Sequence, residues 1–560
     1  MTTHSFPMTP ANHPEGFRWA NARTTAVFIL AVLVLRILYL VFLCPMQLAG
    51  DEAYYWEWSR HLDLCYYEKG PGLAWLIAAS TQLFGVSEAT IRLPMALLAA
   101  LSAWIVARLA TAAADGDQRA GFFAAVLFCL TPAFAANAQI CTQDGPVIAC
   151  WIGLSAAALR LVRHWHDGGT TLADWLLAGL LLGIGFLFKQ SILLFVPSFV
   201  IYALLRRRSL CWRTGQFLQI AAAGVLFLGL ISPILIWNHQ HHWPTLAHTL
   251  GHLGVPGGDQ AEPTGHYWKA PLRFASVAGA QVAAIGPGAL ALIIVACLWL
   301  RKNRSSSPAC FWLICASVPS IVFFLALSFV KPVIGSWPFP SFTPLVALAG
   351  VLAAEELPRY RMLRLAWLAL PQRPRPKAGR FFRHPETPFK TAWDLAIGYG
   401  VIACVVVSFP TLLGHLPVVG KPFRDRVLVR ITGHGQAAAE MAAAIRSATR
   451  PGESAPIPVC RYYMSAALRA FYLPTRPRVY NAGVQVGKRP TAYDFWPDTD
   501  LAGPELLGRN LLLDGHADAP WEQVLAFDEI QVIDNGKFYL GINYHGLHPV
   551  RQTLTRGPGD

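Results

Sequence analysis

From position 24 to 413 the chain is a succession of long apolar runs separated by short polar loops, and beyond about 420 the runs shorten and alternate. A helix that crosses a bilayer needs about 20 apolar residues, somewhat fewer where it tilts or packs against neighbours. On that measure spans are expected near 24–44, 91–110, 120–137, 145–163, 172–188, 191–205, 216–237, 275–300, 309–330, 337–356 and 392–413. The run at 73–84 is too brief to cross and is expected to lie along the interface. The first run, preceded by Arg18 and Arg23, is longer than the apolar core of a signal peptide and reads as an uncleaved span. In the tail, strand-length runs at 456–460, 478–481, 510–513, 530–533 and 538–542 alternate with helical pieces at 436–448 and 464–472, which predicts a small α/β domain. The expected fold class is a multi-span α-helical membrane protein of about eleven spans with a C-terminal α/β domain.

Composition agrees with this reading, and charge orients it. Of 560 residues, 54% are hydrophobic and 14% charged, with mean hydropathy +0.40, against roughly 25% charged in soluble proteins. That excludes fibrous chains, disordered scaffolds and single-pass anchors. The net charge of +14 does not indicate nucleic acid, because the Lys and Arg residues sit mostly in short loops between apolar runs. Arg119, Arg160 with Arg163, Arg206 to Arg213, Arg301 to Arg304 and Arg359 to Lys390 fall in alternate loops, which the positive-inside rule makes cytoplasmic. The loops at 50–88, 137–144, 189–190, 238–273 and 331–336 then face outward, and an odd span count puts everything after about 414 outside as well. The expected domains are a cytoplasmic N-terminus at 1–23, a transmembrane domain at 24–415 with outward loops at 45–90, 137–145 and 238–274, and an extracytoplasmic α/β domain at 416–560. A basic, proline-containing loop at 370–390 is expected on the cytoplasmic membrane surface. Eleven scattered cysteines without C-x-x-C spacing indicate neither a disulfide framework nor a zinc site.

The first outward loop carries the densest candidate chemistry, with Asp51, Glu52, Tyr54, Tyr55, Trp56, Glu57, Trp58 and Arg60, then Tyr66, Tyr67, Glu68 and Lys69. A carboxylate there meets lipid and water together, and partial desolvation raises its pKa toward general-base values. The same residues also suit an ordinary polar loop with an aromatic belt. Asp144, just before Gly145 and Pro146, suits a helix cap as well as a catalytic role. Arg36, inside the first span, calls for a partner within the bundle. His239, His241, His242, His248, His252 and His266 invite a metal, but no Cys or fixed carboxylate completes a set, so none is expected. The glycines at 254–258 and 433–435 lack the context of a phosphate loop and are read as turns.

Asp51-Glu52-Ala53-Tyr54-Tyr55, followed by Tyr67-Glu68-Lys69-Gly70-Pro71, resembles the first periplasmic loop of the protein mannosyltransferase and aminoarabinose transferase superfamily. These are polyprenyl-phosphate-sugar-dependent membrane glycosyltransferases of the GT-C fold, glycosyltransferase family 39 among them. Arg36 to Leu40 resembles the family's first span and Ile91 to Pro94 its second, and Thr142 to Pro146 resembles its T-P-D-G-P loop with Gln143 replacing a proline. Phe188-Lys189-Gln190, Trp237-Asn238-His239 and Ser336-Trp337-Pro338 resemble later elements, and Phe471 to Pro474 and Tyr493 to Trp496 the C-terminal domain of bacterial members.

The resemblance implies a GT-C protein of a bacterial inner membrane, with the active site and C-terminal domain on the periplasmic face. Asp51 would be the catalytic acidic residue, taking the proton of the acceptor hydroxyl, Asp144 its second-loop partner, and Glu68 and Lys69 would line the same site. Glu52, Tyr55 and Tyr67 are further candidates for substrate contact, and Lys69, Lys189, Lys331, Arg60 and Arg92 are the outward cations available to a leaving phosphate. The expected reaction is inverting transfer of a sugar from polyprenyl phosphate to a glycolipid, glycan or protein acceptor, with no metal required, no nucleic acid, and the bilayer as surrounding partner. The Glu68-Lys69 form is closer to the E-K-P of aminoarabinose transferases than to D-H-P-P, with Gly70 inserted. This favours a lipid or glycolipid acceptor. A lipid-linked sugar flippase and a non-catalytic glycolipid-binding assembly protein are the competing classes, although the inverted repeats expected of a transporter are not visible.

Overall fold

The computed structural model describes residues 17–253, 255, 269–303, 307–368, 388–417, 420–515 and 521–548. In a bilayer every backbone polar group must be satisfied within its own segment, so long apolar runs become helices. Six described helices are long and apolar enough to cross a membrane: Ala22–Leu43, Glu88–Ala113, Asp144–His166, Gly215–Gln240, Pro308–Val330 and Pro388–Ser408. Shorter apolar helices, Gln118–Leu130, Leu172–Phe188 and Gln190–Leu205, stand where further spans were expected, and Gly72–Phe84 stands where an interfacial helix was. A longer helix, Phe339–Leu368, covers the span expected at 337–356.

The single span expected at 275–300 is corrected. The chain there forms two helices, Ala270–Ile285 and Pro287–Arg301, bent by 95°. Gly286 at the joint has φ +92°, a conformation glycine adopts without a Cβ clash, and Pro287 has no N–H to continue the ladder. The continuity of the apolar run masked this Gly-Pro signal. Residues 256–268, with His266 and most of the 254–258 glycines, and the basic segment 370–387 lie outside the described residues. His434 and Gly435 open the helix His434–Ala448, with Gly433 in a left-handed conformation before it, so that glycine turn is also a helix start.

The bundle core gathers Trp151, Phe195, Trp312, Phe128 and Leu348. Trp151 Nε1 donates to the Ala316 carbonyl at 3.1 Å and Trp312 Nε1 to that of Ser155 at 2.8 Å, so both indole donors are satisfied away from water. Gly350 lies against Ala120 and Ala124, where a Cβ has no room, which lets two helices approach closely.

Strands β1 (Ile457–Cys460), β2 (Tyr480–Asn481), β3 (Leu511–Asp514), β4 (Leu525–Ile533) and β5 (Phe538–Leu547) form a mixed sheet of order β2-β1-β3-β5-β4. β1 runs parallel to β2 and β3, and β5 antiparallel to β3 and β4. Alternation along β3 decides the layers: Leu512 joins the core containing the helices His434–Ala448 and Tyr463–Tyr472, whereas Leu511 and Leu513 join Trp521 and Tyr544 on the other face. The first of these cores also contains Tyr54, Trp56 and Trp58 of the helix Gly50–Arg60. The domain and the first loop are therefore built around one shared core.

Candidate active site

The site begins with a buried ion pair that fixes the first loop. Glu52, at the third position of the helix Gly50–Arg60, reaches back to accept from Ala49 N at 3.0 Å. Arg92 Nε and Nη2 reach its two carboxylate oxygens at 2.8 and 2.7 Å, and Cys141 N donates to it at 2.7 Å. Arg92 spends its remaining donors on the carbonyls of Met46 and Gln47. Loop, second span and the 138–143 connection are thus tied to one carboxylate. Both partners are about 1% exposed and their polar atoms are engaged, so Glu52 and Arg92 form a buried clamp rather than a surface open to the solvent.

One residue away, Asp51 turns into a cavity of about 390 Å³ lined by Tyr55, Glu68, Lys69, Asp144, Lys189 and Arg489 together with Tyr463, His248, His252 and Trp337. Its carboxylate is open to the cavity, and the enclosing walls raise its pKa above the usual carboxylate value, with Arg489 as the main opposing charge. Glu68 accepts from Tyr54 Oη at 3.1 Å and from Arg489 Nη1 at 3.2 Å, yet burial pushes its carboxyl up to about 7. Asp144 opens the helix Asp144–His166 without capping it, and instead accepts from Lys189 Nζ at 2.6 Å. Lys69 is brought down to about 8, first by desolvation and then by repulsion from Lys189. No described side chain hydrogen-bonds or ion-pairs with its ammonium.

Gly70 makes this meeting of lysines possible. A Cβ there would fall closer than 3.0 Å to the Leu187 carbonyl oxygen, so only glycine lets the first loop lie against the turn carrying Lys189. The residue that departs from the family pattern is the one the local geometry requires. Beside the polar chamber runs an apolar cleft of about 290 Å³ lined by Leu193, Leu194, Leu253, Phe323 and Phe324, and it shares Lys69, Lys189, His252 and Trp337 with the chamber. The arrangement suits an amphiphile whose tail lies in the cleft and whose anionic group rests at the two lysines.

The other expected residues are elsewhere. Arg60 pairs with Glu57 at 2.8 Å and lies over the Trp56 ring, toward solvent. Tyr67 stacks on Phe495 beneath the Arg489 guanidinium and backs the chamber wall without lining it. Lys331 is buried and donates to the Gly251 carbonyl at 2.7 Å. Sequence reading missed Arg489, Tyr463 and Met464, all from the C-terminal domain, and Tyr54, Thr142 and Gln143, named there only within motifs, also line the chamber. Only the cation at 489, close before Tyr493 to Trp496, offered a signal. Among the described residues no group of three or more His, Cys, Asp or Glu is placed to hold a metal ion.

Residues 68–237 match the family described as dolichyl-phosphate-mannose-protein mannosyltransferase. The crystal structure of ArnT from Cupriavidus metallidurans bound to undecaprenyl phosphate aligns over 93% of this chain and 98% of that one, with TM-score 0.56 and 16% identity. The chain has the GT-C fold. The lipid A galacturonosyltransferase RgtD of Rhizobium johnstonii is 32% identical over 200 residues, covering 36% of this GT-C chain and 40% of that protein. An undecaprenyl phosphate-alpha-4-amino-4-deoxy-L-arabinose arabinosyl transferase of Pseudomonas fluorescens is 26% identical over 311 residues, covering 54% and 49%. The chain thus spans about half or less of these relatives' length. With this fold and its set of apolar helices, it is an integral membrane protein.

Proposed function

We propose that the protein is an inverting glycosyltransferase that moves one sugar from a polyprenyl-phosphate carrier to an acceptor hydroxyl at the periplasmic face of a bacterial inner membrane. The observation that carries this reading is the junction at Lys69 and Lys189, where an apolar cleft meets an acidic chamber containing Asp51. A polyprenyl chain fits the cleft, its phosphate the two ammonium groups, and its sugar the chamber. Asp51 takes the proton of the acceptor hydroxyl as that oxygen bonds to the anomeric carbon from the face opposite the phosphate. The bond from the anomeric carbon to the phosphate oxygen breaks, and its electron pair leaves with the phosphate. Lys69 and Lys189 meet that charge, and the Arg489 cation favours the ionised form of Asp51 against the desolvation that raises its pKa. No step needs a metal. Asp144 orients Lys189, and Glu68 holds Arg489. Tyr55 contacts the sugar from the chamber wall.

The relatives are named for lipid A and for aminoarabinose transfer, and this supports a glycolipid acceptor. Purified protein in nanodiscs, given undecaprenyl-phosphate aminoarabinose or galacturonate with lipid A, is expected to release undecaprenyl phosphate from one of the two donors. Asp51→Asn should still bind undecaprenyl phosphate while its release rate falls by roughly 10²–10⁴-fold. Release by that variant at the wild-type rate would overturn the proposal.

A further inference from the structure

The opening span carries a charge that the reaction does not use. Arg36, 8% exposed, projects from the helix Ala22–Leu38 of the first span into a pocket shared with Cys404 of the Pro388–Ser408 helix. Among the described residues none hydrogen-bonds or ion-pairs with its guanidinium. It lines a pocket of about 230 Å³ with Gln139, Phe28, Val32, Cys129 and Cys404. Gln139 Nε2 donates to Ser408 Oγ at 3.0 Å, while its Oε1 is buried without a partner. A guanidinium with five donors thus lines one small cavity beside the residue whose buried amide oxygen lacks a hydrogen, and the other walls are apolar.

Burying such groups unpaired is costly, and the two needs are complementary. An anion satisfies the arginine, and a hydroxyl on the same ligand satisfies the amide oxygen. The surroundings identify the ligand's other half. The first span presents Val27, Leu30, Val34 and Leu35 outward as exposed apolar surface, which acyl chains cover. Tyr39, one turn beyond Arg36, donates to the Ser408 carbonyl, which ties the pocket to the end of the bundle where Gly50–Arg60 and the chamber lie.

We propose that this pocket binds the headgroup of an anionic glycerophospholipid, its phosphodiester on Arg36 and a headgroup hydroxyl on Gln139 Oε1. The site has a route to the chemistry. Gln139 belongs to the short connection that also supplies Thr142, Gln143 and Asp144 to the chamber, and whose Cys141 N is held by Glu52. A lipid seated on Gln139 restrains that connection at a second point besides the clamp. Turnover therefore depends on lipid headgroup as well as on donor and acceptor.

Native mass spectrometry of the full-length protein, stripped of lipid and offered phosphatidylglycerol, phosphatidic acid or phosphatidylcholine, tests the site. One phosphatidylglycerol is expected to be retained over phosphatidylcholine by at least about tenfold, and Arg36→Met should abolish that preference. Gln139→Leu should leave retention of phosphatidic acid, which lacks the headgroup hydroxyl, and erase the advantage of phosphatidylglycerol over it. Because neither residue touches the chamber, this second variant keeps the test open if Arg36→Met does not fold. Equal retention of the three lipids by the wild type, or an unchanged preference in either folded variant, would overturn the proposal.

Discussion

At the residue scale the account turns on charge states inside one enclosure. Lys69 loses its proton as pH rises through about 8, so donor affinity should fall above that pH. Asp51 must be unprotonated to act as base, and its raised pKa places the acid limb of kcat/KM above the range of an ordinary carboxylate. Arg489 lowers the Asp51 pKa and also lowers that of Lys69, so Arg489→Gln should move both limbs of the pH profile to higher pH. An unmoved acid limb would show that Arg489 does not govern the base. The family resemblance singled out Asp51, Glu68, Lys69 and Asp144, which sit in or beside the loops that the hydropathy pattern marks off, and all four line the chamber. Arg489 was not legible. Its partner Glu68 lies 421 positions away, and only the docking of the sheet domain brings them together.

Between elements, the Glu52–Arg92 clamp explains why two charges in the family-like motifs need never touch a ligand. Arg92→Met leaves a buried carboxylate facing Cys141 N and Ala49 N without its cation, which should cost about 3–5 kcal/mol in thermal unfolding. Adding Glu52→Gln should recover part of that loss, whereas two purely substrate-binding residues would change KM and leave stability unaltered. Gly70→Ala is expected to push the first loop off the Leu187 carbonyl and separate Lys69 from Lys189, raising KM for the donor with a smaller effect on unfolding. The strands of the tail were legible as short alternating runs, and each expected segment overlaps an observed strand. The bend at Gly286 was not, because hydropathy records burial and is blind to a backbone that turns.

For the molecule as a whole, the shared core of the first loop and the C-terminal domain means that the domain is part of the site's construction. Tyr472 Oη accepts from Leu48 N at 2.8 Å and donates to Glu88, and Tyr54 Oη accepts from Ala492 N at 2.7 Å. Truncation before residue 416 should therefore abolish donor binding as well as turnover. Orientation can be read from native chemistry. Cys211, an exposed thiol in a basic loop, should resist a membrane-impermeant maleimide in intact cells, whereas a cysteine placed at the exposed Val532 should react. The reverse pattern would put the chamber on the wrong side for a periplasmic acceptor. Charge asymmetry among loops supplies this expected orientation, but the sugar was not legible, since chamber shape is set by side chains from six separate regions of the chain.

The most direct test of the central claim compares lipid-linked sugars and envelope glycolipids, by mass spectrometry, in cells carrying the wild-type protein or Asp51→Asn at equal abundance. Loss of one sugar from the envelope, with accumulation of that sugar on its polyprenyl-phosphate carrier, is the expected result. Identical glycolipids and no accumulated carrier in the two strains would contradict it.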